Sequence, residues 1–246
     1  MLTFTARSHR GYRREKNEDR FYVPPKNGPF LFAVADGMGG CAAGEVASSI
    51  AIDLVEKKAG EKFSSALQGD IPGYQLFLRE LIREANEEIL AAQRQNCEFE
   101  GMGTTLTVVY FCENEFLVGH VGDSRVSLLN GENFLQITED HSLVAQLVKK
   151  GEVNPEKAYL HPKRHLLTRA LGAASFNEVD LYRVKFQSGN YILLYTDGLT
   201  SMLRPIQIKE IIIRCRDVEQ AADELLKQAI DLGGLDNITF VLIYVS

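Results

Sequence analysis

The chain has 246 residues, of which 45% are hydrophobic and 24% charged, a composition typical of an ordinary globular protein. Its formal net charge of −6 gives no reason to expect a nucleic acid or an anionic membrane as partner. The N-terminal stretch has no apolar signal-peptide core, and no apolar run approaches membrane-spanning length. The four cysteines lack CxxC spacing, which favours reduced thiols in a cytoplasmic protein, and nothing demands more than a monomer.

Strand-like runs dominate the chain, and two pairs of helical patterns interrupt them. The runs "LTFTA", "DRFYV" and "FLFAVA" precede a predicted helix pair at about 44–58 and 74–95. The next runs are "TTLTVVYF", "EFLVGHV", "RVSLL", "NFLQIT", "VDLYRVKF" and "YILLYT". A second helix pair is predicted at about 206–214 and 217–231, before the last strand, "NITFVLIYV". Paired helices between groups of strands predict antiparallel sheets with helices on their outer faces, in one domain over residues 1–246.

The apolar run Phe30–Ala35 predicts a buried strand that ends in a carboxylate, Asp36, before a glycine-rich turn and a helical pattern. The spacing Gly37-x-Gly39-x-x-Ala42 matches the loose fingerprint of a dinucleotide-binding turn. Two features argue against that interpretation. Asp36 would lie where a pyrophosphate needs helix-end amides, and no second strand follows the helix directly. Because an unpaired buried carboxylate is costly, the pattern favours a metal cation.

Acidic residues recur at the ends of other predicted strands. They are Glu18, Asp19, Asp123, Asp197 and Asp236, the last followed by Asn237. One such acid is usually a turn or cap residue, but a group of them converging in space would repel severely without cations. Ligands that are all oxygen select hard ions such as Mg²⁺ or Mn²⁺ over zinc.

Arg14 is a basic residue close to these acids in the sequence. It precedes Glu18 by four residues, which in a strand would put both side chains on one face. An arginine beside a metal cluster can hold phosphate oxygens with two parallel hydrogen bonds. The neighbouring Arg10 and Arg13 are interpreted as a solvated charge run.

Eight ordered motifs cover nearly the whole chain: "RREKNED", "VADGMGG", "GMGTTL", "VGDSRV", "ITEDHSLVAQLVKKGEV", "HPKRHLLTRALG", "LYTDGLT" and "GGLDNIT". Together they resemble the PPM family, the metal-dependent type 2C serine/threonine protein phosphatases, and most of all its compact bacterial members. The resemblance implies an α+β fold, a four-layer α-β-β-α sandwich of two antiparallel sheets flanked by helix pairs. That architecture agrees with the pattern of strands and helix pairs.

The resemblance also implies a centre of two Mg²⁺ or Mn²⁺ ions. Asp36 would bridge the ions, and Gly37 would offer its backbone carbonyl to one of them, since a metal can approach the main chain only where side chains are absent. Glu18 would serve the same ion through water. Asp197 and Asp236 would hold the other ion.

Four further residues match supporting positions of the family. Asp123 would hold a third, weaker ion, Asp19 would support the ligands from behind, and Asn237 would orient the turn before the last strand. Arg14 would grip the substrate phosphate. A metal-bridging hydroxide would attack phosphorus directly, without a covalent phosphoenzyme. The expected partners are phosphoproteins made by a serine/threonine kinase.

The chain departs from the family pattern at several positions. Met38 stands where many eukaryotic members carry a histidine that is a candidate general acid. His161 in "YLHPKRHLL" is a candidate replacement in a flap-like segment, and its alternative interpretation is a surface histidine without chemistry. Ser201 stands where an acid is frequent, which weakens the expected third-ion site. His9, before Gly11, replaces an aspartate in a peripheral position.

Two functions of other kinds remain open on the sequence alone. One is a catalytically silent regulator that binds phosphoproteins, and the presence of Asp36, Asp197 and Asp236 argues against it. The other is a phosphatase of small metabolites that uses the same metal centre. A comparison of phosphopeptides with phosphorylated metabolites as substrates would separate it from a protein phosphatase.

Overall fold

The computed structural model describes residues 1–26, 28–39, 43–62 and 70–246. Its strands form two antiparallel sheets. The first sheet has the order β1-β11-β10-β7-β8. Its strands are β1 (Leu2–His9), β7 (Arg125–Asn130), β8 (Asn133–Gln136), β10 (Tyr191–Tyr195) and β11 (Ile238–Val245).

The second sheet has the order β2-β3-β5-β6-β9, with the short strand β4 paired to the end of β3. Its strands are β2 (Asp19–Tyr22), β3 (Leu31–Met38), β4 (Gly103–Thr104), β5 (Leu106–Cys112), β6 (Glu115–Val121) and β9 (Asp180–Lys185). The predicted strand Phe30–Ala35 therefore begins one residue later and continues through Asp36 and Gly37. Phe30 is 44% exposed and lies outside it.

Helices cover the outer face of each sheet. On the second sheet lie α1 (Gly44–Lys62) and α2 (Ile71–Gln95), and on the first lie α4 (Asp197–Met202), α5 (Pro205–Arg214) and α6 (Val218–Asp231). A further helix, α3 (Leu143–Lys149), and two 3-10 turns, Cys97–Phe99 and Pro155–Leu160, lie in the connections. Both predicted helix pairs are confirmed, whereas α3 and α4 were not predicted.

Local sequence sets where several of these helices begin. The side chain of Asp70 accepts the backbone N–H of Gly73 at 3.1 Å and caps α2. Asp217 accepts the N–H of Gln220 at 2.8 Å and caps α6 in the same way. Such caps satisfy N–H groups that the first helical turn leaves without partners.

Apolar side chains from the inner faces of both sheets form the central layer of the core. Phe32, fully buried, packs edge-on against Phe4 of the other sheet, with ring centroids 5.0 Å apart, and against Phe111 at 5.7 Å. Burial of one such side chain contributes about 1.5–3 kcal/mol. One further apolar layer lies between each sheet and the helices that cover it. The expected four-layer α-β-β-α sandwich is therefore confirmed.

The antiparallel register brings several strand ends to one end of the sandwich. Asp19 at the start of β2 pairs with Asp36 near the end of β3. In the other sheet, Tyr195 at the end of β10 lies beside Arg125 at the start of β7 and Phe240 near the start of β11. The acids predicted at strand ends consequently meet there. Across the described ranges, no helix is both long and apolar enough to cross a membrane.

Candidate metal centre

A cavity of about 400 Å³ opens at this end of the sandwich. Five acidic side chains line it: Glu18, Asp36, Asp123, Asp197 and Asp236. Arg14, Arg164 and His165 lie on its wall as well. The sequence analysis predicted that these acids meet in one place, and the structure brings them together around one cavity.

Asp36 lies among the other acids of the cavity. Burial is the main cause that raises its pKa well above the ordinary range, and the charges of Asp19, Asp197, Asp123 and Asp236 raise the pKa further. No hydrogen bond to its carboxylate comes from any residue in the described ranges. Ionising this group without a cation nearby is therefore unfavourable.

Two threonines fix the backbone of Asp36. Its N–H donates to Thr105 Oγ1 at 2.9 Å. Its carbonyl accepts from Thr104 Oγ1 and from the N–H of Thr105, both at 2.9 Å. The main-chain polar groups of Asp36 are thus satisfied, and its carboxylate is left for another partner.

Asp19 pairs with Asp36 across β2 and β3 and is 1% exposed. Burial raises its pKa to about 7, although Thr196 Oγ1 donates to its Oδ2 at 2.9 Å. Its Oδ1 has no hydrogen-bond partner among the described residues. A buried carboxylate oxygen of this kind fits a place behind metal ligands, where a water on an ion can donate to it.

Gly37 must be glycine because β3 and α1 approach closely. A Cβ at Gly37 would overlap the carbonyl of Gly44 and lie 2.7 Å from the carbonyl oxygen of Glu18. A Cβ at Gly44 would lie 2.6 Å from Glu18 Oε1. The close approach brings Glu18 and the backbone of Gly37 to the same cavity wall.

Asn237 holds the loop between β1 and β2 against the start of β11. Its Oδ1 accepts the N–H of Glu18 at 2.8 Å, and its Nδ2 donates to the carbonyls of Arg10 at 2.8 Å and Lys16 at 2.9 Å. The predicted role of Asn237 was limited to its own turn. Its contacts extend to the whole loop that carries Glu18 and Arg14.

Arg14 lies in this loop, not in a strand, so the argument that placed it on one strand face with Glu18 was wrong. Its Nε lies 2.8 Å from Asp236 Oδ1, and its second terminal nitrogen donates to Asp236 Oδ2 at 2.9 Å. The hydrogen bond to Asp236 is the main cause that raises the pKa of Arg14, and Glu18 and Asp36 add to it. Arg14 thus reaches the cavity by folding of the loop.

Asp123 and Asp197 line the same cavity. Asp197 is the first residue of α4, and Gly198 after it packs so tightly on the carbonyl of Asn237 that a Cβ there would overlap it. Asp123 is 8% exposed, and burial followed by the charge of Asp197 raises its pKa well above the ordinary range. Ser201, one helical turn after Asp197, also lines the cavity.

His161 is not among the cavity-lining residues. It ends the 3-10 turn Pro155–Leu160, and its Nδ1 accepts the N–H of Lys163 at 3.1 Å. His165 lies at the cavity instead, with its Nδ1 3.5 Å from Asp197 Oδ2. Sequence reasoning passed over His165 and Arg164, although both belong to the quoted motif "HPKRHLLTRALG".

The donor set fits hard divalent cations. Its acidic members supply oxygen only, and the described thiols, Cys97, Cys112 and Cys215, do not line the cavity. As the side chains stand, no three carboxylates, imidazoles or thiolates of the described residues close around one point. Arg14 engages both oxygens of Asp236.

Oxygen donors on the wall of a cavity and an arginine beside them are the arrangement of a metal-dependent phosphoester hydrolase. Residues 6–229 match the sequence pattern of protein phosphatase 2C, and the chain belongs to this family. The resemblance seen in the eight motifs is therefore confirmed.

Relatives of this family resemble the chain over nearly its whole length. The serine/threonine phosphatase stp of Listeria monocytogenes is 38% identical over 238 residues, 96% of this chain and 93% of that protein. The crystal structure of the serine/threonine phosphatase Stp1 from Staphylococcus aureus has a TM-score of 0.92 at 32% identity and covers 100% of this chain and 96% of that one. The catalytic domain of PstP in complex with two manganese ions has a TM-score of 0.86 at 35% identity, covering 100% and 99%.

The raised pKa of Asp36 generates a prediction about stability. Since the folded state resists ionisation of Asp36, this group costs stability above its unfolded pKa, and the cost grows as pH rises towards the folded pKa. In excess EDTA at pH 8, Asp36→Asn should therefore melt higher than wild type, by about 2–4 °C for each kcal/mol relieved. In Mn²⁺ the order should reverse, because an ion at 100 times its Kd stabilises the wild type by about 2.7 kcal/mol.

Melting curves of both proteins with EDTA and with Mn²⁺ give the comparison. Asp53→Asn, at an exposed position of α1, is the matched control and should shift neither curve. An equal rise in Mn²⁺ for wild type and Asp36→Asn would contradict Asp36 as the bridging ligand.

Proposed function

We propose that the chain hydrolyses phosphoserine and phosphothreonine in proteins with two Mg²⁺ or Mn²⁺ ions at the cavity. Its family and relatives are serine/threonine protein phosphatases. The observation that carries the proposal is the carboxylate of Asp36, which lines the cavity among four more acids and has no hydrogen-bond partner in the described ranges. Such a site accommodates phosphate only if cations offset the acids.

The residues divide into holders of ions and a holder of phosphate. Asp36, Asp197 and Asp236 would hold the two ions, with Glu18 and the carbonyl of Gly37 completing the set. Two divalent ions supply an acidified water and charge stabilisation for an in-line displacement at phosphorus. These residues would hold the ions in fixed positions because they lie at or next to the ends of four elements: the start of β2, the end of β3, the start of α4 and the start of β11.

The side chain of Arg14 could take a second position in this mechanism. Its side chain is 48% exposed and now neutralises Asp236. When Asp236 binds a cation instead, the guanidinium can turn to the phosphate, which also accepts two parallel hydrogen bonds. Arg164 and His165 line the same cavity.

The surroundings of the enzyme form a further part of the proposal. We take its substrates to be proteins phosphorylated by a serine/threonine kinase, and the enzyme to work as a monomer in the cytoplasm. The three described cysteines are unpaired, which supports a reducing compartment. Asp123, beside Asp197, would take a third, weaker ion, since Ser201 adds no charge there.

A phosphothreonine peptide assay tests the proposed reaction. Release of phosphate should require added Mn²⁺ or Mg²⁺ and should stop in excess EDTA, because the acids alone repel the phosphate. The same assay with phosphorylated sugars and nucleotides should give a much lower kcat/KM. Full turnover after exhaustive metal removal would contradict the metal centre, and a preference for the metabolites would identify a metabolite phosphatase.

The role of Arg14 predicts a difference between adjacent arginines. Arg14→Ala should raise KM for the phosphopeptide by about tenfold or more, since a charge-assisted hydrogen bond is worth about 1.5–3 kcal/mol. Arg13→Ala is the matched control, because Arg13 is exposed and makes no side-chain hydrogen bond within the described residues. Steady-state kinetics at saturating Mn²⁺ separate the two. Equal effects of both substitutions would mean that the run acts only through its bulk charge.

A further inference from the structure

His141, from the motif "ITEDHSLVAQLVKKGEV", takes no part in the chemistry described so far, yet it lies directly behind the cavity. It is 7% exposed. Its backbone N–H donates to the carbonyl of Gly122 at 2.8 Å, and the N–H of Gly122 donates back to His141 Nδ1 at 3.0 Å. Both main-chain polar groups of Gly122 are therefore bonded to one residue, and the next residue in the chain is Asp123.

These bonds fix the protonation state of the ring. Because Gly122 donates to Nδ1, that nitrogen carries no proton, and the proton of the neutral ring lies on Nε2. Nε2 lies 3.1 Å from Asp180 Oδ2 and donates to it. Arg169 donates to Asp180 Oδ1 at 2.5 Å, so the arginine neutralises the carboxylate and the carboxylate orients the imidazole.

The other groups around the ring are compatible with this neutral state. Burial lowers the pKa of His141. His120, whose ring centroid lies 4.7 Å away, is fully buried, and burial lowers its pKa to about 3. His120 in turn is bonded to Thr107 Oγ1 at 2.9 Å and to the carbonyl of Glu139 at 3.1 Å. The two rings, tilted by 36° to each other, therefore form an uncharged pair.

Gly122 leaves little freedom for the turn that it forms. Its φ is +114°, which a side chain would strain, and a Cβ there would overlap the side chain of Thr105. The carboxylate of Asp123 lies near Asp197, and their repulsion favours a turn that moves away from the cavity. The two bonds from His141 oppose that movement.

We propose that His141 is a positioning residue for Asp123, which it holds in place for the third ion by bonding both main-chain polar groups of Gly122. This inference rests on the proposed role of Asp123. It assigns to the Nδ1 atom of His141 the task of accepting the Gly122 N–H, and to Asp180 the task of holding the single ring proton on Nε2. The guanidinium of Arg169, whose Nη1 lies 3.1 Å from Nε2, disfavours a second proton on the ring. His141 is not among the residues that line the cavity.

Two substitutions separate the functions of the two ring nitrogens. In His141→Asn the amide oxygen can replace Nδ1 as acceptor for Gly122, but the bond to Asp180 is lost. In His141→Gln the longer amide can reach Asp180, but Gly122 loses its acceptor. The proposal therefore predicts that the Asn variant keeps the Mn²⁺ activation curve of wild type, whereas the Gln variant needs about tenfold more Mn²⁺, as loss of a supporting contact typically causes.

Direct Mn²⁺ binding gives a readout that does not depend on turnover. Electron paramagnetic resonance of free Mn²⁺ should show the tight ions unchanged in both variants and the weak ion loosened only in the Gln variant. In an Asp123→Asn background, His141→Gln should add little further loss of activity, because both changes remove the same function.

The outcomes distinguish this inference from the one on which it rests. If Asp123→Asn keeps wild-type turnover at every Mn²⁺ concentration, the role of Asp123 itself is wrong. If Asp123→Asn loses turnover while the Asn and Gln variants of His141 behave alike, only the role of His141 is overturned. Should the Gln variant fail to fold, the Asn variant decides alone, since about a tenfold shift of its Mn²⁺ curve would contradict the proposal.

Discussion

Repulsion among clustered carboxylates is the constraint on which the rest of this structure depends. Asp19 and Asp36 face each other across two paired strands, and Asp123, Asp197 and Asp236 complete the cluster. Among the acids of this cluster, and within the described residues, Asp236 alone is hydrogen-bonded to Arg14. The fold therefore maintains an arrangement that is unfavourable by itself, and divalent cations are the partners that would make it favourable.

The sandwich can maintain this arrangement because its rigid parts lie immediately behind the acids. The backbone of Asp36 is held by Thr104 and Thr105, and the loop of Glu18 is held by Asn237. The apolar layer between the sheets fixes where the strands end, and antiparallel pairing brings those ends to one side. Function thus follows from topology, because residues far apart in sequence meet only where the strands of both sheets end.

Sequence reasoning predicted the features that have a local signal. The helix pairs showed their period, and Asp36 was conspicuous as an acid that follows an apolar run. The short helix α4 was not predicted, since six residues are too few to show a period. The contact between Arg14 and Asp236 joins residues 222 apart, and the bonds from His141 to Gly122 span 19 positions. Contacts of this kind depend on the fold of the whole chain.

We propose that Asp36 would join two metal ions at the end of the sandwich. Crystals of the protein grown with Mn²⁺ and measured at the manganese absorption edge would test it most directly. Two strong anomalous peaks are expected in the cavity, about 3.5–4 Å apart, with the carboxylate of Asp36 between them. Crystals of Asp36→Asn should lose at least one of these peaks. Peaks that lie away from Asp36, or a pair that persists unchanged in the variant, would rule out Asp36 as the residue that joins the two ions.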